Sequence, residues 1–437
     1  VEELSLVAIF LFVLFLLLGT GVWVGLALLG VAYVGMELFT GRPVGPAMIT
    51  TIWATSSSWT LTALPLFIWM GEILYRTRLS EDMFAGLAPW LRRLPGGLIH
   101  TNILGCTVFA AVSGSSAATL TTVGKMSIPE LRRRQYPEHM VIGTLAGAAT
   151  LGLMVPPSLI LIVYGVTINE SISKLFIAGV LPGLVLAVMF MGYAALYASF
   201  ARDWNPTPEA VMGGRERRRS VRLLLPVVLL VLFVIGSMYL GFATATEAAA
   251  FGVVGALVLA LSQGALNWRS FRASLMGAVH TSAMVALILA GAAFLTLAMG
   301  FTGLPRALAG WIADMELSRL GLLMALLVFY IVVGCFLDGI SAVVLTMAVV
   351  EPMVRQAGID MLWFGIFVVV VVEMAQITPP IGFNLFVLQG MTQHEIGYVA
   401  RAALPMFLIM VAMVFVLIAV PELATWLPAR MSGAPVG

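Results

Sequence analysis

Two short stretches gather oxygen-bearing side chains around a glycine. In AAVSGSSAATLTT, Ser113, Ser115 and Ser116 surround Gly114 and Thr119 follows; in LDGISAVVL, Asp338 precedes Gly339, Ile340, Ser341 and Ala342. Two further stretches place a proline pair inside strongly apolar sequence: Pro156-Pro157 in LGLMVPPSLIL and Pro379-Pro380 in AQITPPIGFNL, the latter with Thr378 before it and Asn384 after it. A helical proline removes a backbone donor and costs about 3 kcal/mol. In lipid, the freed carbonyls have no water to turn to. Such breaks make chemical sense where the carbonyls have another use. Together with hydroxyls and a carboxylate they are hard oxygen donors, which suit a hard cation such as Na+. Half-helix N-termini at the same depth suit an anion.

The elements that position these groups must be membrane helices. Residues of the AVILMFWYC set make up 61% of the 437-residue chain and DEKR only 10%, against about 25% charged residues in ordinary soluble domains. Apolar runs such as Leu4–Leu18, Leu223–Leu240, Ala245–Leu261, Thr281–Met299 and Leu404–Val420 approach the roughly 20 residues that cross a bilayer. Hydropathy suggests about ten to twelve membrane elements. Leu4–Leu18 lacks a basic leader and a small-residue cleavage site, so it is read as part of the mature chain.

Several function classes drop out. A net charge of +2, with no basic run interleaved with aromatics, gives no nucleic-acid surface. Cys106 and Cys335 lie singly in apolar segments and read as packing residues. His100, His139, His280 and His394 are scattered, with no metal-ligand spacing, and there is no phosphate loop of the GxxxxGK[ST] type. A serine at a hairpin tip could serve an intramembrane protease if a histidine met it. His100 and His139 lie instead beside basic clusters at the membrane edge, and a doubled serine motif has no use in a one-serine catalyst. The chain is not read as an enzyme.

Basic clusters set the topology. Arg202–Arg222 carries six arginines and reads as a solvated cytoplasmic loop. Arg92-Arg93 and Arg132–Arg134 flank residues 97–131, an apolar stretch broken at SGSSAA. With both flanks inside, the stretch enters and leaves on one side, as a re-entrant hairpin. Residues 139–168 then cross outward with the first proline break, and 175–200 return. Residues 223–241 go out, 245–263 return to Arg269 and Arg272, and 274–299 go out. Residues 320–355 make a second hairpin from the outside, and 361–391 cross inward with the second break. The course of residues 1–60 is open.

The two broken regions are copies. Each runs from the Gly-x-Ser-Ala tip through a single proline (Pro129, Pro352) to the proline pair, with 27 residues from the single proline to the pair in both. Opposite entry sides make them inverted repeats, the plan of many secondary transporters. The fold class is therefore an all-α polytopic membrane protein with two re-entrant hairpins and two discontinuous helices. The units are 1–96 as N-terminal scaffold helices, 97–200 as the first repeat, 201–222 as the loop, 223–319 as scaffold or arm helices, 320–421 as the second repeat and 422–437 as a tail.

Individual residues keep two readings at this level. Ser113, Ser115 and Ser116 can line a site or pack helices closely. Asp338 can ligate a cation or cap a half-helix. Glu37, Glu72, Glu247 and Glu373 are the other carboxylates near membrane segments; Glu247 follows Thr244 and Thr246 in ATATEAAAFG and reads as a capping residue. Lys125 reads as snorkelling to the interface, and Trp53, Trp59 and Trp69 as interfacial or core-packing residues rather than a binding box.

The stretches FAAVSGSSAATLTTVGKMSIPEL, LGLMVPPSLILIVYG, LFIAGVLPGLVLA, GFATATEAAAFGVVGAL and EMAQITPPIGFNLFVLQGM together resemble the large membrane subunit of the tripartite ATP-independent periplasmic (TRAP) transporters. The similarity spans nearly the whole chain. It implies Na+-coupled uptake of an organic acid, a carboxylate, across a bacterial inner membrane by an elevator mechanism. It also implies two partners: a small membrane subunit of about four helices, here a separate chain, and a periplasmic protein that delivers the substrate. Carried onto this sequence, one Na+ site uses Ser113, Ser115, Gly152, Val155 and Pro157. A second uses Gly339, Ser341, Met374, Thr378 and Pro380. Substrate lies near Ser116, Thr119, Ser341 and Asn384. Ile340 stands where the first copy has Ser115, and Ala375 where it has Gly152, so the second ligand set is the less defined. The alternative is a related carrier, coupled to Na+ or H+, that needs no binding protein.

Overall fold

A computed structural model describes residues 2–77, 79–201, 204, 214–303, 310, 318–380 and 382–431. Every regular element among them is helical. The first group comprises α1 (Glu2–Gly19), α2 (Val24–Phe39), α3 (Val44–Ser56), α4 (Ala63–Tyr75) and α5 (Leu79–Leu91). It is joined later by α11 (Gly214–Tyr239), α12 (Ala245–Ser262) and α13 (Trp268–Thr302). Within this group α13 packs on α2, α3 and α4, α12 on α4, and α11 on α5. The start of α12 is fixed as its sequence suggests: Glu247 N–H donates to Thr244 Oγ1 at 3.4 Å, and Thr244 N–H donates to Glu247 Oε2 at 2.8 Å. That reciprocal capping box satisfies donors the helix cannot pair itself.

The second group holds the candidate residues. It contains α6 (Ile99–Ser113), α7 (Ser116–Arg133), α8 (Glu138–Met154), α9 (Leu159–Ile168) and α10 (Ile172–Phe200). It also contains α14 (Arg319–Gly334), α15 (Gly339–Gln356), α16 (Met361–Gln376), α17 (Phe383–Thr392) and α18 (Ile396–Ala419). The two proline pairs end helices: α8 gives way to α9 across Val155–Ser158 with a bend of 40°, and α16 gives way to α17 across Ile377–Gly382. Elements of the two broken regions interleave, with α17 against α7, α18 against α8, and α15 against α9.

Six helices among the described residues are long and apolar enough to cross a membrane: α10, Arg218–Tyr239 of α11, α12, α13, α15 and α18. The bent α8–α9 pair makes a seventh when taken as one span. Shorter apolar helices, including α2, α6, α14 and α16, make up the balance of the expected elements. Sixteen residues rise only about 24 Å, so these fit a broken or partial traverse better than a complete one. α15 has the length for a full crossing, so length alone does not make residues 320–355 re-entrant.

The arginine-rich stretch departs from its reading as a loop. Residues 202, 203 and 205–213 lie outside the described residues, but 214–222 are the first turns of α11. Arginine is a good helix former, and the apolar run that follows supplies the packing that propagates the helix backwards. At the corresponding end of α10, Tyr193, Tyr197, His139, Tyr136 and Trp204 form a chain of ring contacts with centroids 5.3–6.4 Å apart. Such a belt suits a membrane interface.

Candidate functional site

The tip between α6 and α7 is built from Gly114 and Ser115. Gly114 ends α6 with φ +60°, a left-handed conformation open to glycine at little cost. A Cβ there would also lie 2.8 Å from the Pro157 carbonyl oxygen. Ser115 then caps α7, its Oγ accepting from Ala118 N–H at 3.4 Å. The tip sits directly on the first helix break. Leu159 N–H donates to the Gly114 carbonyl at 3.4 Å, and a Cβ on Gly152 would lie 2.7 Å from the Ser115 oxygen. Ser113 Oγ lies 2.8 Å from Thr119 Oγ1 and donates to the Ser115 carbonyl at 3.3 Å. Ser113, Ser115, Thr119, Gly152 and Pro157 are therefore brought together, with Val155 between the last two in the chain.

The prolines explain which carbonyls are available. In a helix the carbonyl of residue i pairs with the N–H of i+4. Pro156 and Pro157 have no N–H to offer Gly152 and Leu153. Ser158, which the sequence reading passed over, donates its Oγ to the Leu153 carbonyl and also caps α9 by accepting from Leu161 N–H at 3.3 Å. The Gly152 carbonyl is left without its helical donor.

The second broken region has a similar order of parts, with differences. Asp338 caps α15, accepting from Ser341 N–H at 3.1 Å, and is exposed. Cys335 Sγ lies 3.5 Å from the Pro379 carbonyl oxygen, and a Cβ on Gly339 would lie 3.0 Å from Val372. The α14–α15 junction is thus seated on the end of α16. Pro379 and Pro380 remove the donors for Ala375 and Gln376. Thr378 N–H reaches back to the Ala375 carbonyl at 3.1 Å, so the residue in the place of Gly152 is already paired. The Gln376 and Thr378 carbonyls instead converge on Gly382, at 2.9 and 2.7 Å from where its Cβ would be. Thr378 Oγ1 donates to the Met374 carbonyl at 2.7 Å. The first break is buried, whereas Pro379 and Pro380 are exposed.

One residue joins the two broken regions. Glu373, on α16, is 1% exposed, and its Oε1 accepts from Ser116 Oγ at 3.4 Å. Its Oε2 has no hydrogen-bond partner among the described residues. Buried hydroxyl and amide atoms are also unpaired: Ser341 Oγ, and both Oδ1 and Nδ2 of Asn384. Unsatisfied buried polar groups are uncommon in folded proteins and mark a ligand or a water. In the sequence Glu373 is one of four carboxylates near membrane segments with no role marked out for it, and Gln376 carries no signal of its own. The available signal was a charge within the run FGIFVVVVVEMAQ, five residues before Thr378.

Paired tips set on broken helices inside an all-helical membrane body define a membrane transport protein. Residues 11–423 match the family described as Tripartite ATP-independent periplasmic transporter, DctM component, and the chain belongs to that family. It is 31% identical over 382 residues to the C4-dicarboxylate TRAP transporter large permease protein DctM of Pseudomonas aeruginosa, covering 86% of this chain and 88% of the relative. It is 30% identical over 403 residues to the ectoine/5-hydroxyectoine large permease protein UehC of Ruegeria pomeroyi, covering 91% and 92%. It is 29% identical over 420 residues to the isethionate permease protein DctMQ of Oleidesulfovibrio alaskensis, covering 94% of this chain and 64% of that one. The fold is shared with the Alcanivorax borkumensis YdaH transporter at a TM-score of 0.66 and 14% identity, over 94% and 98% of the two chains. The protein is a multi-pass inner-membrane permease, a transporter and not an enzyme.

Proposed function

We propose that this permease takes up a small organic acid driven by Na+, receiving it from a periplasmic binding protein while a small membrane subunit braces the scaffold. One observation carries the reading: Ser116, which opens the helix after the first tip, meets Glu373 of the second broken helix, a buried carboxylate that has no cationic partner among the described residues. A buried carboxylate is costly unless it is paired or neutralised. Hydroxyls and donor-less carbonyls at the tips and breaks are oxygen donors of the kind that fits Na+.

In this reading the first Na+ is held by Ser113 and Ser115 with the carbonyls of Gly152, Val155 and Pro157. The second is held by Gly339, Ser341, Met374, Thr378 and Pro380, to which the geometry adds the Gln376 carbonyl. The acid lies near Ser116, Thr119, Ser341 and Asn384, where the unpaired Asn384 amide and Ser341 hydroxyl offer donors to a carboxylate. The copies act as inverted repeats, and the second helix group slides past the scaffold as an elevator, with the arginine-rich stretch on the cytoplasmic side. The names of the relatives, which carry C4-dicarboxylates, ectoines and isethionate, set the size range: small, highly polar acids or zwitterions.

Proteoliposomes holding the permease and its small subunit test this. An inward Na+ gradient with the loaded binding protein outside should drive accumulation, and removing either should abolish it. Equal accumulation under a proton gradient in Na+-free buffer would overturn Na+ coupling. Uptake without the binding protein would favour the self-sufficient carrier.

A further inference from the structure

We propose that Glu373 is a cation-binding residue that makes acid binding conditional on Na+, a function distinct from the two tip sites. This rests on the Na+-coupled reading above. Glu373 lies within α16, on the second copy, yet its one hydrogen bond is to Ser116 at the first residue of α7, on the first copy. Its other oxygen is buried and unpaired, and no Lys, Arg or His among the described residues forms an ion pair with it. It is the only aspartate, glutamate, lysine or arginine among the described residues that is fully buried.

This placement creates a conflict that a cation resolves. Ser116 opens α7, and a helix N-terminus with its free N–H groups attracts an anion. A carboxylate 3.4 Å from the Ser116 hydroxyl repels that same anion, and in a water-poor interior the repulsion is strong. An organic acid therefore meets a fixed like charge unless a cation sits between the two. Na+ at Glu373 Oε2 cancels the repulsion and offers the acid a positive partner. The order of events follows: cation first, acid second. Binding is then coupled: the acid gains affinity only on the Na+-loaded protein and, by linkage, strengthens Na+ binding in return.

The test uses the full-length permease with its small subunit, with acid binding measured by calorimetry in NaCl and in choline chloride. Wild type should bind the acid only in NaCl. Glu373→Gln keeps the shape and removes the charge; it should bind the acid in choline chloride at least about tenfold more tightly than wild type does. It should also show a lower Hill coefficient for Na+ in uptake. Glu373→Asp restores the charge and should restore Na+ dependence, which a purely structural role for the side chain would not predict. On a solid-supported membrane, Na+ alone should displace charge in wild type, and more than in Glu373→Gln; this wild-type signal does not depend on the variant's stability. Unchanged Na+ dependence in Glu373→Gln overturns the proposal while leaving Na+ coupling intact. Absence of any Na+ effect in wild type overturns the coupling itself.

Discussion

Thr378 shows how a single side chain can be held ready without being committed. Its hydroxyl proton is engaged by the Met374 carbonyl at 2.7 Å, which leaves the oxygen lone pairs open to a cation. Thr378→Val keeps the shape and removes those lone pairs. It should raise the Na+ concentration for half-maximal uptake by about tenfold, the effect of losing one good ligand worth roughly 1.4 kcal/mol. Asp338 makes the opposite case. Its sequence leaves two roles open, cation ligand or helix cap; in the structure it is exposed and caps α15. Asparagine caps as well as aspartate, whereas alanine does not. Thermal unfolding should therefore show Asp338→Asn close to wild type and Asp338→Ala weaker by about 1 kcal/mol.

The elements reveal which features are legible in a linear sequence. Both helix breaks are, because proline acts through its own missing N–H on a carbonyl four residues away. The Thr244–Glu247 cap is legible for the same reason: its partners are three residues apart. The pairing of Ser116 with Glu373 is not, since 257 residues separate them and neither residue's neighbours announce the other. Nor did an arginine-rich run disclose that its second half is helix, because nothing in its pattern is amphipathic while the packing that extends α11 lies further along. Close approach of elements gives a further prediction. Gly152 admits the Ser115–Ser116 backbone, and a methyl group would lie 2.7 Å from it, closer than backbone can tolerate. Gly152→Ala should still insert in the membrane, yet lose at least about tenfold in Na+ affinity as the tip is pushed off the break.

At the scale of the whole molecule, orientation can be tested from exposed surface residues. Arg219 is exposed near the start of α11, and both native cysteines are buried. Arg219→Cys should react with a membrane-impermeant maleimide in inside-out vesicles and not in right-side-out ones; the reverse pattern would invert the topology. Motion is also constrained at this scale. At the far end of α7, Arg132 pairs with Glu138 at the start of α8 and donates to the Thr392 carbonyl of α17 at 3.4 Å, and His394 Nε2 lies 3.1 Å from the same Glu138. Near its first residue, α7 holds α16 through Ser116 and Glu373. The helix is thus fastened at both ends to the opposite copy, like a tie rod between two plates. If this helix group moves as proposed above, the two ties link its broken regions into one travelling body.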